Sequence, residues 1–238
     1  MNRILLNYAS GGRFRESQIK NSQTGLAAGF NTIYQMSDTQ IDENFREKNK
    51  RILESKRGAG YWLWKPYFIN KIIGQMTETD ILFYSDSGAV FIKELSPVFE
   101  SVTKDARGVV GFYMAGRLIE KYWTKSDMFL QMELDLPQFK DTPQRVASFM
   151  VFRGTSFAKK LIAEYLSIAC DYHMISDEPN IHAFVESGFK EHRHDQSIWS
   201  LLTKKYDVTM MNEPTQWGQI CKESFPTDQY IIHTRDPK

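Results

Sequence analysis

The sequence has few cysteines, no long apolar run and almost no net charge, and each shortage closes off a class of proteins. There are two cysteines in 238 residues. Cys170 and Cys221 follow neither a metal-ligand nor a redox spacing, so the expectation is two unpaired buried thiols in a reducing compartment, not a disulfide scaffold or a zinc module. No segment approaches the roughly 18 to 20 apolar residues of a membrane-spanning helix, and the apolar run within residues 1–14 is too short for a signal peptide. The expected location is therefore cytoplasmic, either free or peripheral to a membrane. Thirty basic against 29 acidic side chains give a formal charge of +1. That balance lacks the basic excess that neutralises a nucleic-acid backbone, and no nucleic-acid partner is expected.

What is present is enough chain for one substantial α/β core. Aromatic residues make up 13%, serving as core and as the usual walls of sugar and base pockets. The stretch 58–91 organises the rest. Ile81-Leu82-Phe83-Tyr84 is a continuous apolar run, as in a parallel strand buried on both faces, and it stops at Ser85-Asp86-Ser87-Gly88. A carboxylate thus stands at a strand's carboxyl end, where open α/β sheets bind ligands. Upstream, Lys65 precedes Pro66, a good first-turn residue, and Phe68, Ile69, Ile72, Ile73 and Met76 repeat at helical spacing. The free N–H groups of such a helix start, with the Lys65 charge beside them, suit a phosphate.

Residues 3–8 read as the first strand, followed by Ser10-Gly11-Gly12, a helix over 15–28 and a second strand over 31–36. This βαβ unit opens its first loop at the same sheet edge. The glycine pair lacks dinucleotide or P-loop spacing and reads first as an ordinary turn. Residues 42–56 read as a solvated charged helix leading into a flexible Gly58-Ala59-Gly60 loop. Further strands are expected at 90–92, 109–113 and 147–152, and helices at 95–103, 128–134, 157–170 and 197–206.

Three segments remain. In 120–127, Trp123 can stack on a sugar face while Lys125 and Asp127 bond hydroxyls or phosphate, unless Thr124 or Asp127 only caps the next helix. The irregular stretch 175–193 is long for a connector and is expected to be either functional or mobile. His192 and His194, with no cysteine or third histidine nearby, are expected at the surface and not as metal ligands. Asp195-Gln196 opens a helix, where Asp195 is an N-cap candidate.

Tyr84-Ser85-Asp86-Ser87-Gly88 resembles the DxD signature of nucleotide-sugar glycosyltransferases of the GT-A fold, with Gly88 in place of the second Asp. Together with GYWLWKP at 60–66 and His194-Asp195-Gln196, it is similar to a group of small glycosyltransferases that includes a chlorovirus capsid-glycosylating domain. The resemblance implies a single α/β GT-A domain over 1–238 with a mostly parallel central sheet flanked by helices. The nucleotide-binding half would be about 1–115 and the sugar and acceptor half about 116–238. It implies a nucleoside-diphosphate sugar donor, in particular a UDP-sugar, and a glycan or other hydroxyl acceptor. Tyr8, Ala9 and Ser10 would receive the base. Lys65, Asp86, Ser87, Gly88, Lys125 and Arg235 would hold the sugar diphosphate. Asp86 and His233 would bind a divalent cation, manganese or magnesium, although Gly88 leaves metal dependence open and Lys65, Lys125 and Arg235 offer substitute charge. Asp195, Gln196 and Asp127 would stand at the reacting carbon. The Asp-Gln pair points to retention; an inverting enzyme would use Asp195 as base. Two alternatives stay open: a sugar nucleotidyltransferase, which Ser10-Gly11-Gly12-Arg13 matches poorly, and a non-catalytic nucleotide-sugar or glycan-binding module.

Overall fold

Strand β1 (Arg3–Tyr8) is buried along all but its first residue, and β3 (Ile81–Ser85) along its whole length. Strands so apolar must be covered on both faces, which places them at the centre of a sheet. The computed structural model describes residues 1–114, 118–218 and 229–234. With β2 (Thr32–Met36), β4 (Ala89–Phe91), β5 (Val109–Tyr113), β6 (Arg145–Arg153), β7 (Thr209–Met211) and β8 (Ile231–His233), the sheet order is β2-β1-β3-β6-β5-β7, and β4 pairs β8 separately. Strand β1 runs parallel to β2 and β3, and β5 parallel to β7. Among the described residues of the six-stranded sheet only β6 runs against its neighbours, and β4 and β8 pair antiparallel. The sheet is therefore mostly parallel, as expected. The second half of the chain inserts β6 between β3 and β5, so the two halves share one sheet.

Side-chain alternation divides the core between the two faces. Leu82 and Tyr84 join a cluster containing Leu6, Phe68, Tyr165 and Trp199; Ile81 and Phe83 join one containing Leu5, Phe30, Phe99 and Phe149. The first is covered by the helices Trp64–Ile73, Ser156–Ala169 and His194–Lys205. Pro66 occupies the first turn of Trp64–Ile73, where its missing N–H costs nothing. Thr155 caps Ser156–Ala169 by accepting from the Ala158 N–H at 3.1 Å. Full burial of Phe68 contributes roughly 1.5–3 kcal/mol.

Several boundaries differ from expectation for local reasons. The last long helix begins at His194, so Asp195 lies inside its first turn and makes no cap bond. The helix Ser126–Gln131 has neither Thr124 nor Asp127 as a cap. The expected charged helix is two short ones, Glu43–Lys48 and Lys50–Leu53. His192 and His194 are not at the surface: they are 3% and 2% exposed. The His192 Nδ1 accepts from the Lys125 N–H at 3.3 Å, its Nε2 meets the Met174 carbonyl at 2.9 Å, and His194 Nδ1 meets that of Ile175 at 2.7 Å. Burial pulls both imidazoles below their ordinary pKa. Burial also pushes the free Cys170 thiol up to about 11; Cys221 lies outside the described residues. Among the described residues no helix is long and apolar enough to cross a membrane.

Candidate active cleft

The loop after β3 is shaped by its neighbours on both sides. The Asp86 N–H donates to the Ser148 carbonyl on β6 at 2.9 Å, and Tyr84 donates its hydroxyl to Asp86 Oδ1 at 2.6 Å. Lys65, from the first turn of Trp64–Ile73, places its ammonium 3.7 Å from Asp86 Oδ1 and 2.5 Å from Asp195 Oδ2. It also donates to the Ala147 carbonyl at 3.1 Å. Tyr165 donates to Asp195 Oδ2 at 3.4 Å. One ammonium thus sits between two carboxylates from distant parts of the sequence. Burial raises the Asp195 carboxyl above its ordinary pKa, opposed by Lys65 and reinforced by Asp86. Burial likewise pushes the Tyr84 and Tyr165 phenols well up. Lys65, Asp86 and Asp195 line a cleft of about 230 Å³ that also takes in Trp62, Ser148 and Gln196.

One rim of the cleft is a left-handed turn. Gly58, Ala59, Gly60, Tyr61 and Trp62 have φ of 58°, 50°, 97°, 49° and 61°. Glycine adopts this conformation freely, but each other residue costs roughly 1–2 kcal/mol. The turn is held by Gly60 N–H to Ser55 O at 2.9 Å, Tyr61 N–H to Arg57 O at 2.8 Å, and the Trp64 indole N–H to Gly58 O at 3.0 Å. A Cβ on Gly60 would stand 2.9 Å from Leu53 Cα. The expected flexible loop is instead a tightly specified one. It sets the rings of Tyr61 and Trp62 against His194, at centroid distances of 5.0 and 5.4 Å.

The remaining expected residues divide into those near the β3 loop and those away from it. Ser87 donates to the Tyr8 carbonyl at 2.5 Å, tying the loops after β1 and β3 together. Tyr8 is 7% exposed and its ring lies flat on Trp64 at 3.8 Å. Its phenol is pushed up to about 12 by burial and by Asp38, with Arg46 opposing. Ala9 is buried and Ser10 exposed. Gly88 accepts the Thr234 N–H at 2.8 Å, and a Cβ there would meet nothing within 4 Å. His233 pairs with Ala89 across β4 and β8, and its ring packs on Phe149 at 5.4 Å. Arg235 lies outside the described residues.

Asp127 and Lys125 do not line the cleft. The Asp127 carboxylate accepts from the N–H groups of Ile181, His182 and Ala183 and meets His173 Nε2 at 2.7 Å. Burial would raise its pKa, but these partners outweigh that and hold it at about 2. Lys125 donates to the carbonyls of Ser176 and Glu178 at 3.0 and 3.1 Å, and burial lowers its pKa. Both brace the 176–183 connector. Trp123 is not an open sugar platform either: the Arg193 guanidinium lies 4.4 Å from its ring centre and the Lys190 ammonium 5.2 Å. Sequence reasoning missed Tyr165, the left-handed turn and Gln144, which accepts from Gln196 Nε2 at 2.8 Å. The Gly-x-Gly spacing before Tyr61 was a usable signal for the turn. Nothing local marks the other two.

This kind of fold implies a divalent cation at the end of β3. Among the described residues no three His, Cys, Asp or Glu side chains gather as a metal cluster. Asp86 follows β3, and His233 pairs with Ala89 on β4 three residues further on; one carboxylate and one imidazole are compatible with a hard cation that takes most of its oxygens from a diphosphate and water.

No protein-family model matches the chain, and no curated protein matches it in sequence. Solved structures do match it along its length. Mouse xyloside xylosyltransferase 1 in its apo form superposes with a TM-score of 0.53 at 9% identity, covering 98% of this chain and 97% of that one. A glycosyltransferase involved in the glycosylation of the major capsid of PBCV-1 gives 0.54 at 9% identity, covering 100% and 95%. The galactosyltransferase LgtC, solved with donor and acceptor sugar analogues, gives 0.52 at 11% identity, covering 98% and 87%. With its mostly parallel sheet and a cleft at the carboxyl end of β3, the chain has the glycosyltransferase GT-A fold.

Proposed function

We propose that this chain is a glycosyltransferase that moves a sugar from a nucleoside-diphosphate sugar, in particular a UDP-sugar, to a hydroxyl of a glycan or related acceptor. The observation that carries this reading is the Lys65 ammonium held between Asp86 and Asp195 at the carboxyl edge of β3. The base would lie by the Tyr8-Ala9-Ser10 edge, which Ser87 fastens to the β3 loop. The sugar would lie over Asp195 and Gln196, whose polar atoms bond its hydroxyls.

The charge of the cleft supports metal assistance. Asp86 and Asp195 outnumber Lys65, and Arg57 on the rim is already paired with Glu191 at 3.1 Å. With Arg193 also on the lining, three cations (Lys65, Arg57 and Arg193) face three carboxylates (Asp86, Asp195 and Glu191), so a diphosphate would meet no net positive charge here and a divalent cation on Asp86 and His233 would be its carrier. Such a cation supplies neutralisation of the leaving diphosphate. In the transfer, the bond from the anomeric carbon to the diphosphate oxygen breaks and a bond to the acceptor oxygen forms. Asp195 shares its Oδ2 with Lys65 and Tyr165, which makes it a better anchor than base. The acceptor's proton then passes to the departing diphosphate oxygen on the same face, with retention.

The test is calorimetric titration of UDP, GDP and dTDP, each with and without manganese, into the wild type and Asp86→Ala. Metal-dependent UDP binding that disappears in the variant is expected. Absence of binding by every nucleotide under every condition would sink the reading.

A further inference from the structure

Behind the cleft lies a buried polar chain that the transfer chemistry above does not use. Glu120, fully buried, accepts at Oε1 from Thr124 Oγ1 at 2.7 Å and Gln144 Nε2 at 2.9 Å. At Oε2 it accepts from Ser200 Oγ at 2.5 Å and Lys204 Nζ at 2.6 Å. Ser200 already accepts the Arg145 N–H at 2.9 Å, so its hydroxyl hydrogen is free to point at Glu120. A carboxylate beside an ammonium offers only acceptors. The end of the Gln144 amide that faces Glu120 must therefore be its NH2 end. Its oxygen then faces the other way, to Gln196.

Two side-chain amides that meet must pair one oxygen with one NH2. Since Gln144 presents its oxygen, Gln196 answers with Nε2, at 2.8 Å. That leaves Gln196 Oε1 as the amide atom not committed to the interior, on a residue that lines the cleft. Resting on the transfer reading above, we propose that Glu120 and Gln144 are positioning residues that lock the Gln196 amide with its carbonyl oxygen toward the reacting sugar. The direction matters. An oxygen accepts from a sugar or acceptor hydroxyl and favours the positive charge that develops at the anomeric carbon as the leaving bond breaks. An NH2 in its place would oppose that charge.

Two variants separate this role from simple support of the fold. Gln144→Met keeps the volume and removes every side-chain hydrogen bond of Gln144, those to Glu120 and Gln196 included; Glu120→Gln allows the two amides beyond it to invert together. The wild type is first screened for release of nucleotide from UDP-glucose, UDP-galactose, UDP-N-acetylglucosamine, GDP-mannose and dTDP-rhamnose. On the donor that turns over, kcat per folded molecule is expected to fall about 10- to 100-fold in both variants, as when a hydrogen bond that orients a reacting-site ligand is lost. Affinity for the matching free nucleotide should change by less than about twofold, because Gln196 is assigned to the sugar and not to the nucleotide. In parallel, the side-chain NH2 signal of Gln196, assigned by its loss in Gln196→Met, is followed by nitrogen-15 NMR. It should shift and lose its exchange protection in Gln144→Met. Unchanged kcat in both variants overturns the proposal, even if thermal stability drops, and so does an unmoved Gln196 signal. If the wild type turns over none of the donors, the transfer reading fails on its own, and the NMR signal alone decides the orientation.

Discussion

Removing the Lys65 ammonium by Lys65→Met should produce a loss of stability that grows with pH. The side chain is almost fully buried, 2.5 Å from Asp195 and 3.7 Å from Asp86. Breaking a buried pair by deleting one partner typically costs about 3–5 kcal/mol, because the other charge stays buried without compensation. Asp195 has an escape, since burial already raises its carboxyl pKa and Lys65 is its main opposing influence. With Lys65 gone, its folded-state pKa rises further above the unfolded value of about 3.9. Between those two values the folded protein holds the proton and the unfolded chain does not, so stability falls as pH rises through that window. The deficit relative to wild type should thus be small near pH 4.5 and approach about 3–5 kcal/mol near pH 7.5. Urea midpoints at the two pH values for wild type, Lys65→Met and Lys65→Met/Asp195→Asn measure it. The double variant should recover most of the loss at the higher pH. An equal deficit at both pH values, or no recovery, would refute the claim that the Asp195 charge is the source.

Gly60→Ala should cost about 2–4 kcal/mol, since a left-handed φ of 97° is unfavourable for alanine and the new Cβ would press on the Leu53 backbone; a thermal melt measures it. Gly88→Asp should leave stability within about 1 kcal/mol, because the added side chain enters open space, and should lower the manganese concentration needed for half-maximal UDP binding. Asp127→Asn should cost about 1–2 kcal/mol at pH 7, discounted for nearby solvent. With a folded pKa of about 2, below the unfolded value, the carboxylate's contribution is present above about pH 4 and is lost as pH falls toward 2, so the wild type and variant denaturation midpoints should converge in acid. Proteolysis within 181–183 should rise in the same variant.

The sheet was legible because its strands are short apolar runs ending at turn residues, and β3 announced both its burial and its ligand-facing end at Asp86. Lys65 was legible from the helix start at Pro66. The misreadings share a physical cause: they concern residues whose partners are far away in sequence. Asp127 looks the same whether it faces a sugar or three backbone N–H groups 54 to 56 residues on. His192 and His194 read as surface histidines because carbonyls of Met174 and Ile175 carry no side-chain signal. The Lys65–Asp195 pair joins residues 130 apart, and the Glu120, Gln144 and Gln196 chain spans three segments that only the finished sheet brings together.

The unfavourable backbone of this chain is concentrated where the buried charge is. Among the described residues six that are not glycine have left-handed φ, and Ala59, Tyr61, Trp62 and His194 are four of them. At roughly 1–2 kcal/mol each they sum to about 4–8 kcal/mol, comparable with the 5–15 kcal/mol by which whole domains are stable. The same cleft holds Lys65, Asp86 and Asp195, and a buried ion pair is usually no more stable than an apolar replacement. Neither feature helps the chain fold. Both are kept in place by their surroundings: the turn by the Ser55, Arg57 and Gly58 carbonyls, the charges by Tyr84, Tyr165 and Ala147. Strain and desolvated charge fixed on one rim and one floor of a single cleft are what a preorganised polar site requires, and a module that only filled space would have no use for them.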